Sequence, residues 1–220
     1  MTHSALTVEP LAPELSGEAQ EFLDQLGTPA ALPALSVAVS ALTLEAVRDE
    51  ATLRRFLAEY RDRVLLPLEV PAIVAAHGHA LRNELRELLA LDRELGRDAR
   101  LGGFRVASAA VGRRQLSRLR PMRDQRLVQR YLREVESAAV HGWHTVVFGV
   151  FLAQYSLPLR QGLILYSQRT LGGFLDTAGA TLRLRAATTD ALFDEAVLPV
   201  TAEVNRLLVG ASLAGPVAAL

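Results

Sequence analysis

His141 and His144 stand three residues apart, a spacing that on a helix puts two imidazoles on one face and makes them the best metal pair in the chain. No third ligand accompanies them, so the sequence supports no dedicated metal site. His77 and His79 are two apart and diverge by about 160° around a helix, too far to chelate one ion. A small helical enzyme with an apolar pocket would draw its polar groups from Asp92, His144, Tyr155 and Tyr166. Nothing else points to catalysis. There is no Gly-x-Ser-x-Gly elbow, and the glycines around Gly172 are not followed by the lysine of a phosphate loop.

Two missing residue types narrow the chemistry further. With no cysteine there is no thiolate nucleophile, disulfide or sulfur-bound metal. All 24 basic side chains are arginine, and without lysine the chain forms neither a P-loop nor a Schiff base. The 24 acidic residues balance them, so no overall charge draws the molecule to nucleic acid or an anionic membrane. Arg113 to Arg126 is locally basic but carries no interleaved aromatics, and reads as a surface face suited to an acidic partner.

Helices must position these groups. Residues 1–14, with Pro10 and Pro13, read as a flexible leader without a secretory signal. From Ser16 the pattern is helical: 17–26, a bend at 28–33, then an apolar segment at 34–47. Leu53, Phe56, Leu57, Tyr60, Val64 and Leu65 mark the next helix, which Pro67 and Pro71 are expected to interrupt. Further helices are expected at 72–95, 102–119, 124–141, 143–155, 158–185 and 189–209, with Pro199 as a kink in the last. The segment 143–155 is apolar all round and so belongs at the centre. No strand signal is convincing, and the longest apolar run, Val146 to Ala153, falls short of the roughly 18 residues that span a bilayer. The fold expected is all-α, a single-domain bundle of about eight to ten helices over 15–209 with a flexible apolar tail at 210–220. A cytoplasmic location follows as the default.

Two alignments stand out. Asp92 lies on the leucine stripe of its helix, where a carboxylate is costly unless an arginine or a helix N-terminus meets it. Arg105, Ser108 and Gly112 fall on one line at i, i+3 and i+7, so a helix can pack closely there and Arg105 is the arginine expected to reach Asp92. His144, Phe148, Phe151 and Tyr155 line a second face.

Several of these segments resemble one known family. Leu91-Asp92-Arg93-Glu94-Leu95, Phe104-Arg105-Val106-Ala107-Ser108 and Gly112-Arg113-Arg114 follow in order and spacing the "LD…L…R-x-A-S…G-R-R" pattern of the urease accessory protein UreF. Gly142-Trp143-His144-Thr145-Val146-Val147-Phe148-Gly149 is similar to that family's "G-H-x-x-V-x-G", with one residue inserted, and Ala180-Thr181-Leu182-Arg183-Leu184 to its "A-A-V-R-L". The early signature survives only as Leu32-Pro33-Ala34-Leu35-Ser36 and Ser40-Ala41-Leu42-Thr43-Leu44-Glu45, and Ala186-Ala187-Thr188-Thr189 replaces a "P-L-G-Q", so the chain looks like a divergent member.

The resemblance implies a scaffold rather than an enzyme. Such proteins dimerise, dock a second accessory protein (UreD, also called UreH), recruit the nickel-carrying GTPase UreG and present the assembly to apo-urease. It implies partner binding through Glu45, Arg105, Ser108, Gly112, His144 and Arg183, with no cofactor in the chain because nickel is handled by the complex. It also gives the apolar C-terminal tail a part in docking, as a segment that orders on binding. The alternatives are the apolar-pocket enzyme above and a structural helical oligomer unrelated to urease.

Overall fold

The computed structural model describes residues 22–28 and 30–213. Among them run nine α-helices and no strand: α1 (Leu35–Ala41), α2 (Glu50–Tyr60), α3 (Val70–Leu81), α4 (Leu85–Arg97), α5 (Arg105–Arg118), α6 (Arg126–Glu136), α7 (His144–Gln154), α8 (Leu159–Leu182) and α9 (Ala186–Leu213). A π-helical segment, Arg61–Glu69, joins α2 to α3, and a 3₁₀ segment, Ala99–Phe104, leads into α5. The expected leader at 1–14 lies outside the described residues. Of the expected tail, 210–213 belong to α9 and 214–220 lie outside them.

α2 starts on a capping box, in which the Asp49 carboxylate accepts from the Thr52 amide and the Thr52 hydroxyl reaches back to the Asp49 amide. Neither Pro67 nor Pro71 interrupts the helical course beyond α2. Glu50 to Leu81 is one continuous helical stretch of 32 residues. The wider i→i+5 turns of Arg61–Glu69 absorb the ring of Pro67, which in an α-helix would meet the carbonyl four residues back. Pro71 falls where the π-helical segment passes into the first turn of α3, and the helical course continues through it. This stretch is apolar and long enough by composition to cross a membrane, but half of its apolar window is buried inside the fold, as a core helix would be.

The helix expected over 72–95 is divided in two. Asn83 takes a left-handed conformation (φ 58°), which asparagine tolerates better than most residues, and the chain turns there between α3 and α4. α7 is the hub. Every residue from Thr145 to Ala153 is buried. Gly149 lets α3 lie directly against it, since a Cβ there would sit 2.6 Å from the Ile73 carbonyl oxygen and 2.9 Å from the His77 nitrogen. Aromatic rings extend this core: Phe22 stacks on Phe151 with centroids 3.9 Å apart, and Phe174 of α8 meets Phe56 and Tyr60 edge-on.

Candidate functional site

Both polar centres of the core gather at the start of α7. The first is Asp92, fully buried on α4. Its carboxylate accepts from the Tyr131 hydroxyl at 2.8 Å and from the amides of His141, Gly142 and Trp143 at 2.7, 3.0 and 3.0 Å. Burial, followed by the Asp92 charge, holds the Tyr131 hydroxyl well above the usual tyrosine range, so it remains a donor. The expected partner Arg105 is not there. It is exposed at the start of α5 and pairs with no carboxylate among the described residues, so the predicted Arg105–Asp92 ion pair is corrected. The alternative expectation, a helix N-terminus, is closer: the amides entering α7 supply the donors.

The second centre is built around Glu69 and His144. Nine residues make two and a half turns of an α-helix, which would put Glu69 on the face opposite Tyr60, about 180° away. The π-helical segment between them undoes that offset, and the Tyr60 hydroxyl donates to Glu69 Oε1 at 2.9 Å. His144 Nε2 lies 3.5 Å from the same oxygen and 2.6 Å from the Tyr166 hydroxyl. On the other side of the ring, Nδ1 is 2.7 Å from Ser108 Oγ, which also accepts the His144 amide at 3.3 Å.

Ser108 Oγ and the Tyr166 hydroxyl flank the imidazole at its two nitrogens. Because each hydroxyl can donate or accept, the ring finds a partner on both sides whichever nitrogen carries the proton. Burial, reinforced by the Glu69 charge, raises both Tyr60 and Tyr166 well above the usual range and keeps them protonated. Glu69 Oε2 and Trp143 Nε1, both buried, have no hydrogen-bond partner among the described residues. The two residues line one small cavity of about 10 Å³, room for a single water molecule.

The six residues singled out in the sequence therefore divide. Ser108, Gly112 and His144 come together: a Cβ on Gly112 would fall 1.9 Å from the Gly142 carbonyl oxygen, so α5 can reach His144 only because that residue is glycine. Arg105, Glu45 and Arg183 are exposed and outside the network. Glu45 pairs with Arg55 at 3.2 Å across the surface. Arg183 closes α8 in the left-handed conformation (φ 53°), its amide bonded to the Gly179 carbonyl. Sequence periodicity missed Glu69, and it set Tyr60 on the apolar face without a role for its hydroxyl. The available signal was that Glu69 is the only Asp, Glu or Arg between Arg63 and Arg82.

The groups nominated for an enzyme do not converge. His144 and Tyr166 meet, but Asp92 is fully occupied elsewhere, and Tyr155 packs at a tilt against Phe151 at the far end of α7. An open groove of about 690 Å³ between α8, α9 and the segment around Gly27 contains none of the four. His141 packs against Gly96 of α4 while His144 faces Tyr166, so the two imidazoles do not share a site. No group of three metal-ligating side chains occurs among the described residues.

A family model described as UreF matches residues 47–190, from just before α2 into the first turn of α9. No curated protein matches the chain.

Proposed function

This chain belongs to the UreF family of urease accessory proteins, and from that premise we propose that it is a non-catalytic scaffold that docks a UreD/UreH-like protein and recruits a UreG-like GTPase to load nickel into apo-urease. The observation that carries the reading is the extent of the family match, which takes in both buried polar centres and the helices that hold them. A chain without lysine suits this division of labour, because nucleotide hydrolysis then belongs to the GTPase partner. Nickel stays with the complex, and the chain acts in the cytoplasm as a homodimer.

Of the six residues, the exposed Glu45, Arg105 and Arg183 touch the partner directly on this reading. Ser108, Gly112 and His144 act behind them, fixing α5 against the start of α7. The test is co-expression with UreD-like and UreG-like proteins followed by size-exclusion chromatography. A stable complex of all three is expected, weakened by Arg105→Glu without loss of helicity. If no complex forms with the unmodified chain, the partner assignment fails.

A further inference from the structure

The hairpin of α5 and α6 holds charge that the rest of the molecule does not neutralise. Between Arg113 and the end of α6 at Glu136 lie eight arginines and three acids, Asp124, Glu134 and Glu136, a surplus of five positive charges in a chain with a formal net charge of zero. All eight arginines are exposed. Among the described residues only Arg120 meets a carboxylate, that of Glu136. Arg113 and Arg133 donate to the carbonyls of His141 and Gln129, which leaves their charge uncompensated. Arg118 reaches the neutral side-chain amide of Gln25, and the side chains of Arg114, Arg123, Arg126 and Arg130 have no partner among the described residues.

Holding so many like charges on one short hairpin costs self-repulsion, and folding alone gives no reason to bear it. The hairpin is nevertheless rigid. Gln129 Nε2 donates to the carbonyls of Arg120 and Met122 at 3.0 and 3.1 Å, clamping the linker onto α6, while the apolar face of α6 is buried through Leu127, Val128, Leu132 and Val135. A basic face fixed before binding loses little entropy when a partner arrives.

We propose that this hairpin docks an acidic protein surface. The chemistry selects that partner over other polyanions. Binding to single-stranded nucleic acid relies on exposed aromatic rings for stacking, and the one aromatic residue of the hairpin, Tyr131, is fully buried on Asp92. Seating on an anionic bilayer calls for an apolar face turned outward, and that of α6 is turned in. Guanidinium groups pair with carboxylates through two parallel hydrogen bonds, and an all-arginine face offers many such forks.

The inference rests on the scaffold reading only for which protein supplies the acids, so the test has two arms. In the first, the full chain and the triple variant Arg114→Glu, Arg126→Glu, Arg130→Glu are titrated with polyglutamate, poly(U) and phosphatidylglycerol vesicles at two salt concentrations. The wild type should bind polyglutamate best, more weakly at high salt, and the variant should lose roughly tenfold or more with unchanged circular dichroism. The milder triple change to glutamine should fall between them, and it serves as the comparison if the reversed variant does not fold. In the second arm, the same proteins are tested against UreD-like, UreG-like and apo-urease proteins.

Loss of polyglutamate binding together with one of these associations supports the proposal and names the partner. Loss of polyglutamate binding when no such protein binds even the wild type leaves the acidic-surface inference standing and removes the scaffold reading. Tighter binding to poly(U) or vesicles overturns the proposal. So do unchanged polyglutamate binding in both variants, and a change in oligomeric state that shows the face to join copies of this chain.

Discussion

Two buried carboxylates sit near one helix start and are treated differently by the fold. Asp92 receives four hydrogen bonds, three of them from consecutive amides, and none of its oxygens is left over. Glu69 receives the Tyr60 hydroxyl and approaches His144 at 3.5 Å, but its Oε2 has no partner among the described residues. A saturated charge is a staple: it fixes the loop that launches α7 and tolerates no substitute. An incompletely satisfied one is held for its place in a side-chain network, and its removal releases some of the cost of burying it.

The contrast is broken most easily at Asp92. Asp92→Asn keeps the shape but turns an amide NH₂ towards hydrogen-bond donors, and is expected to cost about 3 kcal/mol in urea unfolding. A loss below about 1 kcal/mol would mean the amides of the loop find other acceptors. Glu69→Gln should have a smaller effect, within about 1 kcal/mol in either direction, because its carbonyl still serves Tyr60 and its NH₂ gains freedom where Oε2 had no partner. If thermal melting put the two variants on a par, the distinction between staple and network would be wrong.

The smallest effect sharpens the comparison by separating the number of partners from burial. Glu84, on the surface after α3, is gripped by Arg82 and then His79, and its carboxyl is lowered to about 2. A lowered value means its contribution is present above the ordinary carboxylate range near 4.5 and is lost as the pH falls from there towards 2. Stability measured against pH should therefore slope less steeply across that window in Glu84→Gln than in wild type. Solvent screening keeps the difference small although the group has several partners.

Most helices were legible because packing selects apolar residues at helical spacing. The all-round apolar run at α7 gave away the hub, and the misplaced charge of Asp92 on a leucine stripe marked a real polar centre. Its partners were not legible. Three are backbone amides, which any residue but proline can supply, and side-chain patterns do not register them. Glu69 was hidden for a different reason. The period used to read faces assumes 3.6 residues per turn, and the segment that brings Glu69 inward does not obey it. The same assumption made Pro67 look like a terminator. Arg105 was given a buried role because alignment with Ser108 and Gly112 says which residues share a line but not where the end of a long side chain goes.

Trp143 is the chain's only tryptophan. Its backbone amide is tied to Asp92, while its indole lines the cavity beside Glu69. The two centres thus share one intrinsic fluorophore, and the wavelength and intensity of a single emission band respond to both. Solvent entering at Glu69 and release of the loop at Asp92 would each shift that band. With no second indole in the background, partner docking that strains the start of α7 becomes visible as light, without any label being attached.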